Sequence, residues 1–286
     1  MIGPADQAGV ALPNARELLA RYGLSPKKTL GQNFLLDPRV QERIVAAAAL
    51  SAEDAVVEIG AGLGALTARL GERAGRLVAI ERDARLAAVL RAELGASPRL
   101  TIVEGDALDF DWVAAARRLG RPLVVVGNLP YVVTSPVIFA VIAAGQVVAR
   151  ALFMVQKEFA QRMISPPGSR EYGRLSVMVQ QAAETELLFH VGRRAFLPPP
   201  AVTSTVVRLR PRGKPLGEVC DRELFARVVR EAFGTRRKML RRALAPAFGA
   251  ERAAAALAAA GLPGTRRAEE LSVADFARLT NALADA

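Results

Sequence analysis

The sequence predicts an α/β protein: a doubly wound, mostly parallel sheet covered by helices on both faces, followed by a small all-helical part. Three observations carry this. From residue 55 onward, short apolar runs of strand length alternate with helix-length stretches. The first run ends in a glycine-rich turn, Gly60-Ala61-Gly62-Leu63-Gly64, that opens a helix. Beyond Arg210-Pro211-Arg212-Gly213-Lys214-Pro215 the patterning is helical only. Strands that are apolar throughout, with helices between them, need cover on both faces, and parallel sheets meet that need.

Taken in order, Asn14 with Glu17 three residues later, ahead of Leu18, Leu19 and Tyr22, predicts a capped amphipathic helix that ends at Gly23. Residues 27–35 (KKTLGQNFL) follow neither the helical nor the strand period and predict an irregular basic loop. Asp37-Pro38 then starts a helix through Ile44, Val45 and Ala48, with proline at its tolerated first position. Strands are predicted at 55–59, 76–81, 100–104, 123–126, 151–156, 186–190 and 205–209. No long helix separates the last two, so they are expected to pair antiparallel at one edge. After the Pro/Gly linker, helices are predicted at 221–233, 235–244, 250–260 and 272–283, the last capped by Ser272-x-x-Asp275. The expected division is therefore a sheet domain over 12–210 and a helical domain over 216–286.

Composition narrows the function classes. The 286 residues include 51% hydrophobic and 23% charged positions, enough apolar material for a full core and against intrinsic disorder. Lys+Arg number 39 against 28 Asp+Glu, a net charge of +11, and the excess is uneven. Residues 1–190 hold 21 basic and 19 acidic residues, net +2; residues 191–286 hold 18 and 9, net +9. A basic module beside a nearly neutral one suggests a polyanionic partner, either nucleic acid or an anionic membrane surface. Cys220 is the single cysteine and His190 the single histidine. An internal disulfide, a cysteine zinc site and a histidine-clustered metal centre are excluded. The first twelve residues lack a basic head before an apolar run, so no signal peptide is expected and a cytoplasmic location is. Residues 122–149 carry no charge, but Gly127-Asn128-Leu129-Pro130 and Ser135-Pro136 break the stretch into a buried strand and a core helix rather than a membrane span.

The chemistry is expected at the carboxyl ends of the strands. Glu58 precedes the turn that carries Gly60, Gly62 and Gly64, and glycines there let backbone turn sharply and approach a ligand closely. The G-x-G-x-G spacing differs from the G-x-G-x-x-G of dinucleotide enzymes and favours an adenosyl ligand without a pyrophosphate. Glu81 ends the next strand, where a carboxylate can accept from both ribose hydroxyls, and Asp106 follows the third, where one can accept from an adenine amine. Either acid alone is an ordinary strand-end charge; the ordered set of three is not. Asn128-Leu129-Pro130-Tyr131 ends the fourth strand. Its plain reading is a proline loop. Its chemical reading is a site for an aromatic amine, whose lone pair is delocalised: the Asn128 side-chain oxygen and the Leu129 carbonyl draw the amine toward tetrahedral geometry, and Tyr131 stacks on the base.

Residues 28–35 (KTLGQNFL), 58–64 (EIGAGLG), 105–107 (GDA), 128–131 (NLPY), 156–158 (QKE), 196–204 (FLPPPAVTS) and 233–240 (FGTRRKML) together resemble the KsgA-type ribosomal RNA adenine dimethyltransferases, over about 16–280. The glycine turn and NLPY are common to class I amino-methyltransferases; GQNFL and the Phe-Pro-Pro motif narrow the resemblance. It implies a class I, Rossmann-like methyltransferase sheet and S-adenosylmethionine contacts at Asn33, Leu35, Gly60, Glu81, Asp106 and Asn128, with Gln32 nearby. It also implies base handling by Asn128, Leu129 and Tyr131, with Phe196 on the other face of the adenine. Leu129 stands where related DNA amino-methyltransferases often have proline, a small change if the role belongs to the backbone carbonyl. The basic cluster Arg236, Arg237, Lys238, Arg241 and Arg242, expected on a helix with Leu240 and Leu244 facing the core, and the pair Lys27-Lys28 are the RNA-binding candidates.

The activity implied is dimethylation of two adjacent adenines near the 3′ end of small-subunit ribosomal RNA, with S-adenosylhomocysteine as product. The implied partner is the small ribosomal subunit and its RNA, with no metal, membrane or obligate protein partner. The alternatives are a macrolide-resistance methyltransferase acting on large-subunit RNA, a noncatalytic RNA-binding assembly factor and, more weakly, a nicotinamide dehydrogenase.

Overall fold

A computed structural model describes residues 12–130, 133–235 and 238–286. The first helix, α1 (Ala15–Arg21), carries the expected capping box: Asn14 Oδ1 accepts from the Arg16 and Glu17 amides, and Glu17 accepts from the Asn14 amide. A 3-10 turn at Lys28–Leu30 and a two-residue strand, β1 (Phe34–Leu35), follow, so the segment expected to be irregular is partly ordered. Asp37 caps α2 (Pro38–Ala48).

The sheet domain then alternates β2 (Ala55–Ile59), α3 (Ala65–Arg73), β3 (Arg76–Glu81), α4 (Ala84–Leu94), β4 (Leu100–Glu104), α5 (Trp112–Leu119), β5 (Leu123–Asn128), α6 (Thr134–Ala143) and β6 (Val148–Gln156). It continues through α7 (Lys157–Ile164), α8 (Arg174–Ala182), β7 (Ala183–Val191), a two-residue β8 (Phe196–Leu197) and β9 (Ser204–Pro211). Seven of these strands form one sheet in the order β4-β3-β2-β5-β6-β9-β7. The five from β4 to β6 are parallel, while β9 runs antiparallel to both β6 and β7. The three strands expected at 55–59, 76–81 and 100–104 have the predicted bounds, and the other four extend beyond theirs.

The chain leaves β2 toward β3 and β4 on one side, then crosses to β5 and β6 on the other. Such a reversal opens a crevice at the strand carboxyl ends, here between the ends of β2 and β5. Alternate residues serve opposite faces: Ala55, Val57 and Ile59 belong to one buried cluster, and Val56 to another with Leu66 and Leu70 of α3. The uncharged stretch becomes β5 and the ten-residue α6, and no helix among the described residues is long and apolar enough to cross a membrane.

The C-terminal part comprises α9 (Arg222–Gly234), α10 (Leu240–Phe248), α11 (Ala250–Ala259) and α12 (Val273–Asp285). One expectation is corrected here: α10 starts at Leu240, five residues later than the predicted 235. The cause is tertiary, because the amides of Leu240 and Arg241 donate to the carbonyls of Arg266 and Gly264, and Met239 is held extended as the cap. The core of this helical part also crosses the predicted boundary at 210–216. It takes in Tyr172 and Val177 from the sheet segment, and Tyr172 donates its hydroxyl to the Leu271 carbonyl at 2.9 Å.

Candidate active site

Of the candidate cofactor and base-handling residues that the structure describes, all but Gly64 line one cavity at the carboxyl ends of the strands. Gln32, Asn33, Leu35, Glu58, Gly60, Gly62, Glu81, Asp106, Asn128, Leu129, Pro130 and Phe196 face it together. Gly60 and Gly62 have φ of +70° and +60°, the left-handed region in which glycine is unstrained. A Cβ on Gly62 would stand 3.5 Å from the Phe34 ring, ordinary van der Waals contact, so at this position it is the backbone conformation that calls for glycine. Gly64 does something else: it lies outside the cavity lining, and a Cβ there would come within 2.8 Å of Leu94 Cδ1. Its place in the motif is explained by its backbone: as the residue that caps α3 it has φ of +86°, a left-handed conformation that glycine alone takes without strain.

Glu58 is buried beneath this turn. Burial pushes its carboxyl up to about 8, and the nearby Glu81 charge adds to the shift. Thr67 Oγ1 is close enough to favour the charged form, yet not in hydrogen-bond geometry: neither it nor Glu58 Oε2 has a partner. Glu81 is also raised by burial, against which the amides of Asp83 and Gly62 work, each donating to one of its oxygens at 2.8 Å. Each oxygen keeps further lone-pair capacity. Asp106 accepts from the Leu108 amide at 3.0 Å and pairs with Arg82 at 3.2 Å.

Asn128 ends β5, and its Nδ2 donates to the Asn33 carbonyl at 3.0 Å. A carbonyl only accepts, so this contact fixes which side-chain atom is the amide nitrogen and leaves Oδ1 as the acceptor of a residue that lines the cavity. Gly127 is required just before it. A Cβ there would lie 2.9 Å from the Leu129 side chain and 3.0 Å from the Ile59 carbonyl. Leu129 is buried, and its amide donates to the Met154 carbonyl. The Pro130 carbonyl accepts from the Val133 amide and from Thr134 Oγ1, which starts α6.

The loop that carries Gln32 and Asn33 is tied down by Asp83. Asp83 Oδ2 accepts from Gln32 Nε2 at 3.0 Å and lies 3.7 Å from Lys27 Nζ, while Gln32 Oε1 takes the Lys27 amide. Hydrogen bonds from Arg85 hold the Asp83 carboxyl well below the usual carboxylate range. On the opposite wall, β1 and β8 pair antiparallel, with Leu35 facing Phe196. Sequence motifs do not reveal Arg82, Asp83 and Gly127 as parts of the site. Asp83 reads locally as an ordinary helix cap, and only the fold brings it to Gln32.

The RNA-binding candidates among the described residues stay outside this cavity. Lys27 and Lys28 are exposed on the loop, Lys238 precedes α10 rather than lying on it, and Arg241 and Arg242 are exposed in its first turn. Leu240 and Leu244 are buried. Tyr131, Arg236 and Arg237 lie outside the described residues. Among the described residues no cluster of His, Cys, Asp and Glu has the makings of a metal site.

This sheet order, with a glycine turn, two strand-end acids and an Asn-Leu-Pro motif at one crevice, defines a class I methyltransferase. Solved structures agree: the 23S rRNA methyltransferase ErmE matches at a TM-score of 0.63 and 31% identity, covering 88% of this chain and 100% of that one. A dimethyladenosine transferase from Plasmodium falciparum matches at 0.69 and 26% identity, covering 86% and 95%. The chain belongs to the ribosomal RNA adenine dimethylase family, whose model matches residues 23–285. Among its relatives, the ribosomal RNA small subunit methyltransferase A of Anaeromyxobacter dehalogenans is 47% identical, covering 95% of this chain and 98% of that protein. The protein of the same name from Rhodospirillum rubrum is 44% identical, covering 98% and 95%. Membership in a methyltransferase family implies a cofactor of the S-adenosylmethionine type.

Proposed function

We propose that the chain transfers methyl groups from S-adenosylmethionine to the exocyclic amines of two adjacent adenines near the 3′ end of small-subunit ribosomal RNA, in the cytoplasm, during subunit maturation. The observation that carries this reading is Asn128, whose amide nitrogen is engaged by Asn33 so that its oxygen is left as acceptor in the same cavity as Glu81 and Asp106.

The cavity's donors and acceptors fit the cofactor. Glycine backbone, two strand-end carboxylates with lone pairs to spare and the unpartnered Glu58 Oε2 suit a ligand with amine, ribose and adenine groups. In this reading Glu81 accepts from the ribose hydroxyls and Asp106 from the cofactor adenine amine. Gly60 and Gly62 admit close approach, and Gln32, Asn33 and Leu35 cover the ligand. The bound cofactor supplies an electrophilic methyl group on a sulfonium. Asn128 Oδ1 and the Leu129 carbonyl accept hydrogen bonds from the target amine and orient its lone pair. The proton lost as the N–C bond forms and the S–C bond breaks passes to water. Pro130 fixes the turn, and Phe196 and Tyr131 hold the ring. Positioning and polarisation do the work, with no covalent intermediate. Lys27, Lys28, Arg236, Arg237, Lys238, Arg241 and Arg242 are assigned to phosphate contacts, and residues 12–210 and 216–286 to catalysis and RNA binding respectively.

The test is methyl transfer to purified unmethylated small and large subunits, with modified nucleotides mapped by mass spectrometry. Dimethyladenosine at two neighbouring small-subunit positions is expected. Exclusive labelling of the large subunit would favour the activity in the name of the 31% identical relative, and RNA binding without incorporation would favour an assembly factor.

A further inference from the structure

We propose that Arg193, Arg194 and Arg39 form a phosphate-binding edge on the Phe196 side of the cavity, gripping the RNA backbone next to the adenine being modified. The inference rests on the RNA reading above and gives that substrate a further point of attachment, separate from Lys27-Lys28 and from the basic cluster before and in α10.

Arg193 and Arg194 occupy a single 3-10 turn, Arg193–Ala195, immediately before Phe196. The Ala195 carbonyl accepts from the Leu36 amide at 2.7 Å and from the Asp37 amide at 3.4 Å, which brings the start of α2, and with it Arg39, beside this turn. All three arginines are exposed, and none forms an ion pair among the described residues. Elsewhere on this protein strand-end and helix arginines pair readily with acids, as Arg82 does with Asp106 and Arg208 with Glu186. The carboxylate nearest in sequence, Asp37, is engaged in capping the Arg39 amide.

Nor does local structure call for these charges. A cation in the first turn of a helix opposes the helix dipole, so Arg39 is mildly unfavourable for α2 itself. Arg193 is also preset: its Nε donates to the Pro200 carbonyl at 2.6 Å, which spans the Phe-Pro-Pro loop, and its two terminal nitrogens make no hydrogen bond among the described residues. A guanidinium held this way offers a fork that matches a phosphodiester. The ring that packs on the target base and the edge that holds its backbone are then parts of one rigid turn.

The experiment measures binding of a small-subunit 3′-terminal RNA hairpin by fluorescence anisotropy across a salt series, in the full-length protein. For Arg193→Ala with Arg194→Ala, affinity is expected to fall about tenfold or more at low salt, and the salt slope to shrink by about one for each phosphate no longer neutralised. Cofactor affinity should stay at the wild-type value. Arg194→Ala alone, which removes no hydrogen bond among the described residues, should give part of the same effect even if Arg193→Ala disturbs the loop. The charge-preserving double exchange, Arg193→Lys with Arg194→Lys, should recover most of the slope. An unchanged slope in the alanine variants, or no recovery with lysine, overturns the proposal. Wild-type protein that fails to methylate small-subunit RNA at all would instead overturn the reading it rests on.

Discussion

Asn128 spends its amide nitrogen on the Asn33 carbonyl, and this single contact sets what the site can do. Replacing it with alanine removes the acceptor proposed for the reacting amine while leaving Glu81, Asp106 and the glycine turn in place. Turnover should fall on the order of a hundredfold to a thousandfold, the range for removing one preorganised polar group that meets a transition state. Calorimetry should find cofactor affinity mostly kept, with only a small loss from the broken bond to Asn33. Turnover within about twofold of wild type would remove Asn128 from the chemistry. Glu58 makes a second prediction at this scale. Its folded-state carboxyl keeps its proton up to about pH 8, against a reference value of 4.5, so between these values the folded chain binds more protons than the unfolded one. Stability is therefore expected to drop as pH rises through that window. Thermal unfolding from about pH 5 to pH 8 should show a smaller decline for Glu58→Gln than for wild type, and parallel declines would sink the assignment.

Among the elements, the loop at 27–35 depends on its tether to Asp83. Gln32→Ala breaks the bond to that carboxylate, and a hydrogen bond to a charged group contributes about 1.5–3 kcal/mol. Steady-state kinetics should show KM for the cofactor rising on the order of tenfold, with kcat much less affected. At the other end of the chain, Ser272 accepts from the Asp275 amide at 3.1 Å and Asp275 accepts from the Ser272 amide at 2.9 Å. Ser272→Ala should lower stability by about 1 kcal/mol in a denaturant titration. That cap was legible in the sequence, as were Asn14, Asp37 and the apolar runs of β2, β3 and β4, because each signal lies within a few residues. Strands β1 and β8 were not, since two residues carry no period. The start of α10 was hidden for a related reason: its first amides are taken by the carbonyls of Arg266 and Gly264, far along the chain. The site motifs could be read one by one, whereas the Asn128–Asn33 and Gln32–Asp83 bonds exist only after folding.

For the whole molecule, the helical part is less separate than composition suggests. Tyr172 is fully buried in its core, packs edge-on against Phe233 and hydrogen-bonds to Leu271. Removing 216–286 would expose Tyr172 and Val177 on the remaining sheet segment, and each such side chain is worth about 1.5–3 kcal/mol when buried. Calorimetry of the full chain should therefore give one cooperative transition, and a chain ending at 215 should melt lower; two well-resolved transitions in the full chain would contradict a shared core. The charge distribution reads differently as well. Part of the basic excess counted in the last third, Arg193 and Arg194, belongs to the sheet domain, on the turn just before Phe196, which lines the cavity.

The two-residue pairing of Leu35 with Phe196 bears on how this enzyme can be re-engineered. One strand of that miniature sheet belongs to the loop proposed to cover the cofactor, and the other holds the ring proposed to meet the target base. A substrate preference transplanted by swapping 196–204 alone would land on a mismatched partner strand, so a working chimera has to carry 33–36 with it as a single graft.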